Sequence, residues 1–190
     1  MIEDIVKASR SYRRFHEEKR IEESTLRELV NLARLSPSAG NVQPLKYMIS
    51  ADPELNKKIF STLAWAGYLK DWKGPAEGER PSAYIVTLGD MEIGRNFSCD
   101  HGIAAQSIML GAAEKGLGGC MVGSIDRSRL RKMLSISDRY EILLVLALGY
   151  PKEKVVLEDV GPDGDIKYYR DAQDVHHVPK RKLEDIILGS

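Results

Sequence analysis

Apolar residues in this chain alternate between helical spacing and short unbroken runs, and the alternation maps the elements. Residues 2–9 read as a short helix ending at the Arg10 turn. Leu26, Leu29, Val30 and Ala33 follow helical spacing behind Ser24, a candidate N-cap, until Pro37 forces a stop. Leu45 to Ser50 reads as a strand, and Pro53 opens a helix over 53–63. Ala83 to Leu88 is an unbroken apolar run, the mark of a buried strand. The longest helix spans about 98–115, with Ser98 as cap, Asp100 favourably placed in the first turn and Gly116 as terminator. Its body, Gly102 to Ala113, is apolar or small nearly all round. A helix without a polar face is a buried one, and its small residues permit close backbone approach. The pattern predicts a central helix against the sheet and at a subunit interface.

Gly116 to Ser124 follows as a glycine-punctuated strand, 126–134 as a helix, and Tyr140 to Gly149 as a strand buried on both faces. Residues 151–182 are polar, with a turn at Gly161-Pro-Asp-Gly164, and read as an extended arm; 183–188 is a short terminal helix or strand. Residues 64–81 hold Gly67, Gly74, Pro75, Gly78 and Pro81 among Trp65, Tyr68 and Trp72. They read as a structured excursion or lid, helical near its start. The order α-α-β-α-β-α-β-α-β lacks strict alternation and indicates an α+β fold in one domain, 1–190.

Charge changes the picture by exclusion. Lys+Arg and Asp+Glu both number 28, so no overall field favours nucleic acid or an anionic membrane. No apolar run approaches the ~18 residues of a membrane span, and the acidic start does not resemble a signal peptide, so a cytoplasmic protein is expected. Two cysteines, Cys99 and Cys120, are too few for a disulfide framework or an iron–sulfur cluster and read as reduced buried thiols. His16, His101, His176 and His177 form no metal-ligand spacing, and the adjacent pair would point apart in a strand.

Chemistry concentrates in a few short stretches. Ser36-Pro-Ser-Ala-Gly-Asn-Val-Gln-Pro44 cannot continue a helix, and it presents Ser38, Asn41 and Gln43 beside close-approaching backbone. That suits a planar ligand with polar edges. Arg10, Ser11 and Arg13 bring two guanidinium forks and a hydroxyl to one turn, a match for phosphate oxygens. Lys180-Arg-Lys182 is a second basic cluster that would clamp the same phosphate if the chain ends meet. Gly116-Leu-Gly-Gly119 follows a helix and precedes a strand, so it is not a dinucleotide fingerprint; it reads as a helix cap plus a strand against which something flat can lie. Asp100 and His101 are acid/base candidates, with a capping role the simpler reading of Asp100.

Together these stretches resemble the nitroreductase family of FMN-dependent oxidoreductases. The likeness rests on Arg10-Ser-Tyr-Arg-Arg-Phe15, on Ser36 to Pro44, on the helix from Asp100 to Ala113 running into Gly116 to Gly123, and on Lys180-Arg-Lys-Leu-Glu184. The resemblance implies a mostly antiparallel central sheet flanked by helices and a homodimer with FMN at the interface. Arg10, Ser11 and Arg13, with the Ser9 backbone, would hold the phosphate and ribityl chain. Pro37, Ser38, Ala39 and Asn41 would meet the isoalloxazine and ribityl groups. Val122, Gly123 and Ser124 would lie along the flavin, and Lys180 and Arg181 would close over the phosphate. The resemblance implies reduction by NAD(P)H and a flat electron-poor acceptor such as a nitroaromatic or quinone, with no catalytic side chain beyond the flavin. A dehalogenase, a flavin-consuming enzyme, a non-enzymatic FMN-binding redox sensor and a plain interaction domain are the competing readings.

Overall fold

The computed structural model describes residues 1–189. Helices α1 (Ile2–Ala8) and α2 (Glu23–Leu35) precede strand β1 (Leu45–Ser50) and helix α3 (Pro53–Phe60). Strand β2 (Ala83–Asp90), helix α4 (Asp100–Glu114), strand β3 (Gly118–Val122), helix α5 (Arg127–Met133) and strand β4 (Tyr140–Gly149) complete the body. The four strands form one antiparallel sheet in the order β1-β2-β4-β3. The fold class is thus α+β, in the element order that the apolar pattern predicts.

Strand periodicity divides the core into two layers. Ala83 and Ile85 of β2 join Leu146 and Leu148 of β4 under α2 and α4, while Tyr84 and Val86 join Val145 and Ala147 on the opposite face. Every position of β2 is buried. Both faces are covered, which is why its sequence shows no polar alternation.

Two helix starts differ from expectation. Helix α2 begins behind Glu22 rather than Ser24, because buried Ile21 seats the chain earlier and Glu23 then pairs with Arg27 one turn on. Helix α4 begins behind Cys99 rather than Ser98, whose φ is +37°. Phe97, packed over Gly89, fixes the approach. Cys99 is exposed at that start, whereas Cys120 is buried as expected. Nor is α4 covered on every side: Gly102, Ile103 and Gln106 form an open strip.

The polar stretch after β4 is organised into strands β5 (Val155–Asp159), β6 (Tyr169–Arg170) and β7 (His176–Lys180). They form a second sheet in the order β5-β7-β6, with β5 parallel to β7. Residues 64–81 form turns, and the expected helical piece near their start is absent. Aromatic contacts anchor them instead. Trp65 packs 5.8 Å from Phe60, Tyr68 packs 4.9 Å from Tyr168, and Trp72 lies 4.4 Å beneath the Arg170 guanidinium. Glycine and proline block a regular backbone here, so side-chain stacking supplies the order.

His177 clamps the small sheet. Its Nδ1 lies 2.9 Å from Glu158 and its Nε2 3.1 Å from Asp171, and its ring stacks on Tyr169. Both nitrogens facing carboxylates favour imidazolium, and hydrogen bonds to Asp171 and Glu158 raise its pKa. A raised folded-state pKa gives stability that is complete below the unfolded value of about 6.5 and lost as pH rises through the folded value. The melting-temperature gap between the wild type and His177→Asn should therefore narrow as pH rises above about 6.5; a gap independent of pH would refute the clamp.

Candidate functional site

The turn after α1 carries Ser9, Arg10, Ser11 and Arg13, and the edge of β3 seats it. Ser11 bridges Gly119, and the Tyr12 N–H donates to the Gly119 carbonyl at 2.9 Å. A Cβ at Gly118 would lie 2.5 Å from the Tyr12 ring, and one at Gly119 would lie 2.9 Å from the Ala147 carbonyl oxygen. Only glycine admits this approach. At Gly118 the flat group expected against the strand is therefore the chain's own Tyr12 ring.

A cavity of about 290 Å³ opens beside the turn. Ser9, Arg10, Ser11, Arg13 and Lys180 all line it, so residues far apart in sequence converge there. Arg181 lies outside that lining, exposed beyond the end of β7. Tyr168 and His176 complete the polar wall, and Met109 and Met121 supply apolar surface. These last four were not legible in sequence: neither aromatic sits in a charged motif, and neither methionine stands apart from a core pattern.

Charge is unevenly compensated around this cavity. Arg14 forms two 2.8 Å hydrogen bonds to Glu79, holding that carboxyl down to about 2. Arg170 donates to the buried Glu153 at 2.9 Å. Glu153 also accepts the backbone N–H groups of Arg13 and Arg14. The Arg13 guanidinium meets no carboxylate among the described residues. It lies 3.3 Å from the Ser11 carbonyl, 3.1 Å from His176 Nε2, and 4.6 Å from the Tyr168 ring centre. Arg10 donates to the Val6 carbonyl at 2.6 Å, and its buried Nε has no partner among the described residues. Among the described residues, no carboxylate lines the cavity. Two guanidinium groups, an ammonium and serine hydroxyls facing one space suit a phosphate monoester.

The proline loop builds a different wall. Ala39–Asn41 is a single 3₁₀ turn, and Gly40, Asn41 and Gln43 have φ of +57°, +55° and +54°. Left-handed backbone at Asn41 and Gln43 persists only where surroundings impose it. Asp100 does so from the start of α4. Its carboxylate accepts the Ser38 hydroxyl at 2.6 Å and the Ala39 N–H at 3.0 Å, and Ser38 Oγ accepts the Gln43 N–H at 2.9 Å. Asp100 is thus a loop anchor rather than a cap of its own helix. Pro37 and Ser38 line a cavity of about 380 Å³ with Asp100 and Ala104. The arginine cavity instead meets α4 at Gln106 and Met109, on another side of that helix. One chain does not unite the two sets.

The third predicted stretch is split. Val122 is buried in the core layer beneath α3 and α5, while Gly123 and Ser124 are exposed. The Ser124 carbonyl accepts the Ala64 N–H at 3.0 Å and so holds the start of the 64–81 excursion. Among the described residues, no group of three or more His, Cys, Asp or Glu is placed to hold a metal ion, and no helix is long and apolar enough to cross a membrane. Replacing Asp100 by Ala should cost about 1–3 kcal/mol by leaving the Ser38 hydroxyl and the Ala39 N–H without their acceptor. Limited proteolysis should report the same change as faster cleavage within residues 36–44; unchanged cleavage and melting would remove Asp100 as anchor.

The comparisons agree on a lineage. A protein of Archaeoglobus fulgidus, assigned by inference as an NADH dehydrogenase/NAD(P)H nitroreductase, is 27% identical over 149 residues, covering 74% of this chain and 80% of the relative. A nitroreductase family protein of Streptococcus pneumoniae has a similar fold, with a TM-score of 0.70 at 19% identity over 90% of this chain and 100% of that one. An FMN-dependent nitroreductase of Clostridium difficile gives a TM-score of 0.62 at 23% identity over 79% of this chain and 87% of that one. The sequence profile of the nitroreductase family matches residues 6–150, and with that match over most of its length the chain belongs to the nitroreductase family.

Proposed function

We propose that this chain is an FMN-dependent NAD(P)H oxidoreductase whose arginine cavity holds the flavin phosphate. The observation that carries the reading is the uncompensated Arg13 guanidinium beside Arg10, Ser11 and Lys180, with the Arg10 Nε left unpartnered. A phosphate supplies the acceptors this wall lacks. Family membership and the FMN-dependent relative support the same ligand. FMN, when bound, passes reducing equivalents from NAD(P)H to a flat electron-poor acceptor such as a nitroaromatic or quinone. The protein's part is to bind, orient and exclude water. Ser9, Ser11 and the two arginines fix the phosphate end, and Lys180 closes it from the C-terminal sheet.

A homodimer completes this arrangement. The open strip of α4 adjoins a groove lined by Ile2, Ile5, Leu32, Leu35 and Leu110, and Leu35 is 63% exposed. Apolar surface of this kind favours burial against a second copy. The strained Pro37–Asn41 loop of one protomer then adds its Ser38 and Asn41 edges to the arginine cavity of the other. That accounts for a loop preorganised by Asp100 yet facing away from the arginines of its own chain.

Two outcomes test the reading. Purified protein should show a flavin absorbance band that bleaches anaerobically with NADH or NADPH and returns on addition of a quinone. Arg10→Ala should weaken FMN binding by about tenfold to a hundredfold, the worth of one or two charge-assisted hydrogen bonds, while shifting the apoprotein melting temperature little. Equal losses in both would make Arg10 a structural residue. For the dimer, Leu35→Glu should shift sedimentation toward the monomer and reduce FMN retention together; a wild-type chain that sediments as a monomer with FMN bound excludes the shared site.

A further inference from the structure

His176 is 1% exposed and lines the arginine cavity. Its Nε2 lies 3.1 Å from Arg13 Nη1. A guanidinium carries only donors, so Nε2 is the acceptor and the ring proton sits on Nδ1. Burial, followed by the charge of Arg13, pushes the pKa of this histidine well down. The neighbouring charges are otherwise engaged: Arg170 with Glu153, and His177 with Glu158 and Asp171. The Nδ1 atom has no hydrogen-bond partner among the described residues.

Arg13, Arg14 and Arg170 are treated differently. Arg14 and Arg170 each face a carboxylate. Arg13 faces a carbonyl, an imidazole and an aromatic ring, all uncharged. Glu153 takes the backbone N–H of Arg13 and makes no hydrogen bond to its guanidinium. The fork is held in place from three sides without losing its charge.

We propose that His176 is a positioning and specificity-determining residue of the phosphate site, a neutral acceptor that fixes the Arg13 fork and leaves its whole charge to an organic phosphate monoester. A carboxylate in its place would hold Arg13 at least as firmly and cancel the charge the ligand needs. The inference rests on reading this cavity as the flavin phosphate site.

FMN and riboflavin share a ring system and differ by the phosphate, so the ratio of their affinities isolates the Arg13 contribution. Flavin-free protein is titrated with each, and apoprotein melting is recorded alongside. His176→Gln retains an acceptor and should keep the wild-type ratio within about threefold. His176→Leu removes the acceptor and should lower FMN affinity about tenfold with riboflavin unchanged. His176→Glu should lower it about tenfold further, because the new carboxylate competes with the phosphate for Arg13. If His176→Leu does not fold, the Gln and Glu variants, nearly identical in shape, decide the matter alone. Equal FMN-to-riboflavin ratios in those two overturn the role of His176, as do parallel losses for both ligands together with melting temperature. A wild-type protein that binds FMN no more tightly than riboflavin overturns the phosphate reading itself.

Discussion

One buried carboxylate holds the candidate site together. Glu153 accepts the backbone N–H groups of Arg13 and Arg14 and the guanidinium of Arg170. It thereby joins a turn near the amino terminus to strands more than a hundred residues away. Its side chain is almost completely buried, and three donors meet it there. Stripping such a group of its partners costs several kcal/mol, and that cost makes the convergence of the two chain ends specific rather than approximate. The walls of the arginine cavity, Arg13 on one side and β7 with Lys180 on the other, stand where Glu153 puts them.

Around that anchor the protein separates arginines paired with carboxylates from an arginine held by uncharged groups. Arg14 and Arg170 are neutralised by Glu79 and Glu153 and serve the framework. The aromatic excursion is drawn into the same framework, with Trp72 against Arg170 and Tyr68 against Tyr168. Arg13 stands a few ångströms away, supported by uncharged groups, and keeps its field. Adjacent arginines in sequence, Arg13 and Arg14, thus perform opposite tasks. The backbone places their side chains on different sides of the turn, one toward the cavity and one toward Glu79. The proline loop follows similar logic, since Asp100 holds its left-handed backbone and leaves its outer edge open.

What local pattern can express was legible in the sequence. The element order, the buried strands β2 and β4, and the stop at Pro37 follow from apolar spacing and backbone restriction within a few residues. Helix starts were less legible, because Ile21 and Phe97 set them through burial and the best capping residues, Ser24 and Ser98, were passed over. The second sheet was missed for a related reason. Its strands are short and polar, and it coheres through His177, Glu158 and Asp171 rather than through an apolar face.

The amino acids by themselves singled out Arg10, Ser11, Arg13 and the Ser36–Pro44 loop as candidates, because guanidinium forks, hydroxyls and proline-fixed backbone are properties of residues in short order. Only the tertiary structure decided which arginines meet no carboxylate among the described residues, that Lys180 rather than Arg181 faces the same space, and that the loop belongs to another wall. Compensation of charge depends on which groups lie within a few ångströms after folding. Neither Glu153 nor His176 is near Arg13 along the chain, and their proximity in space separates an arginine that faces the cavity without a carboxylate from one that is paired.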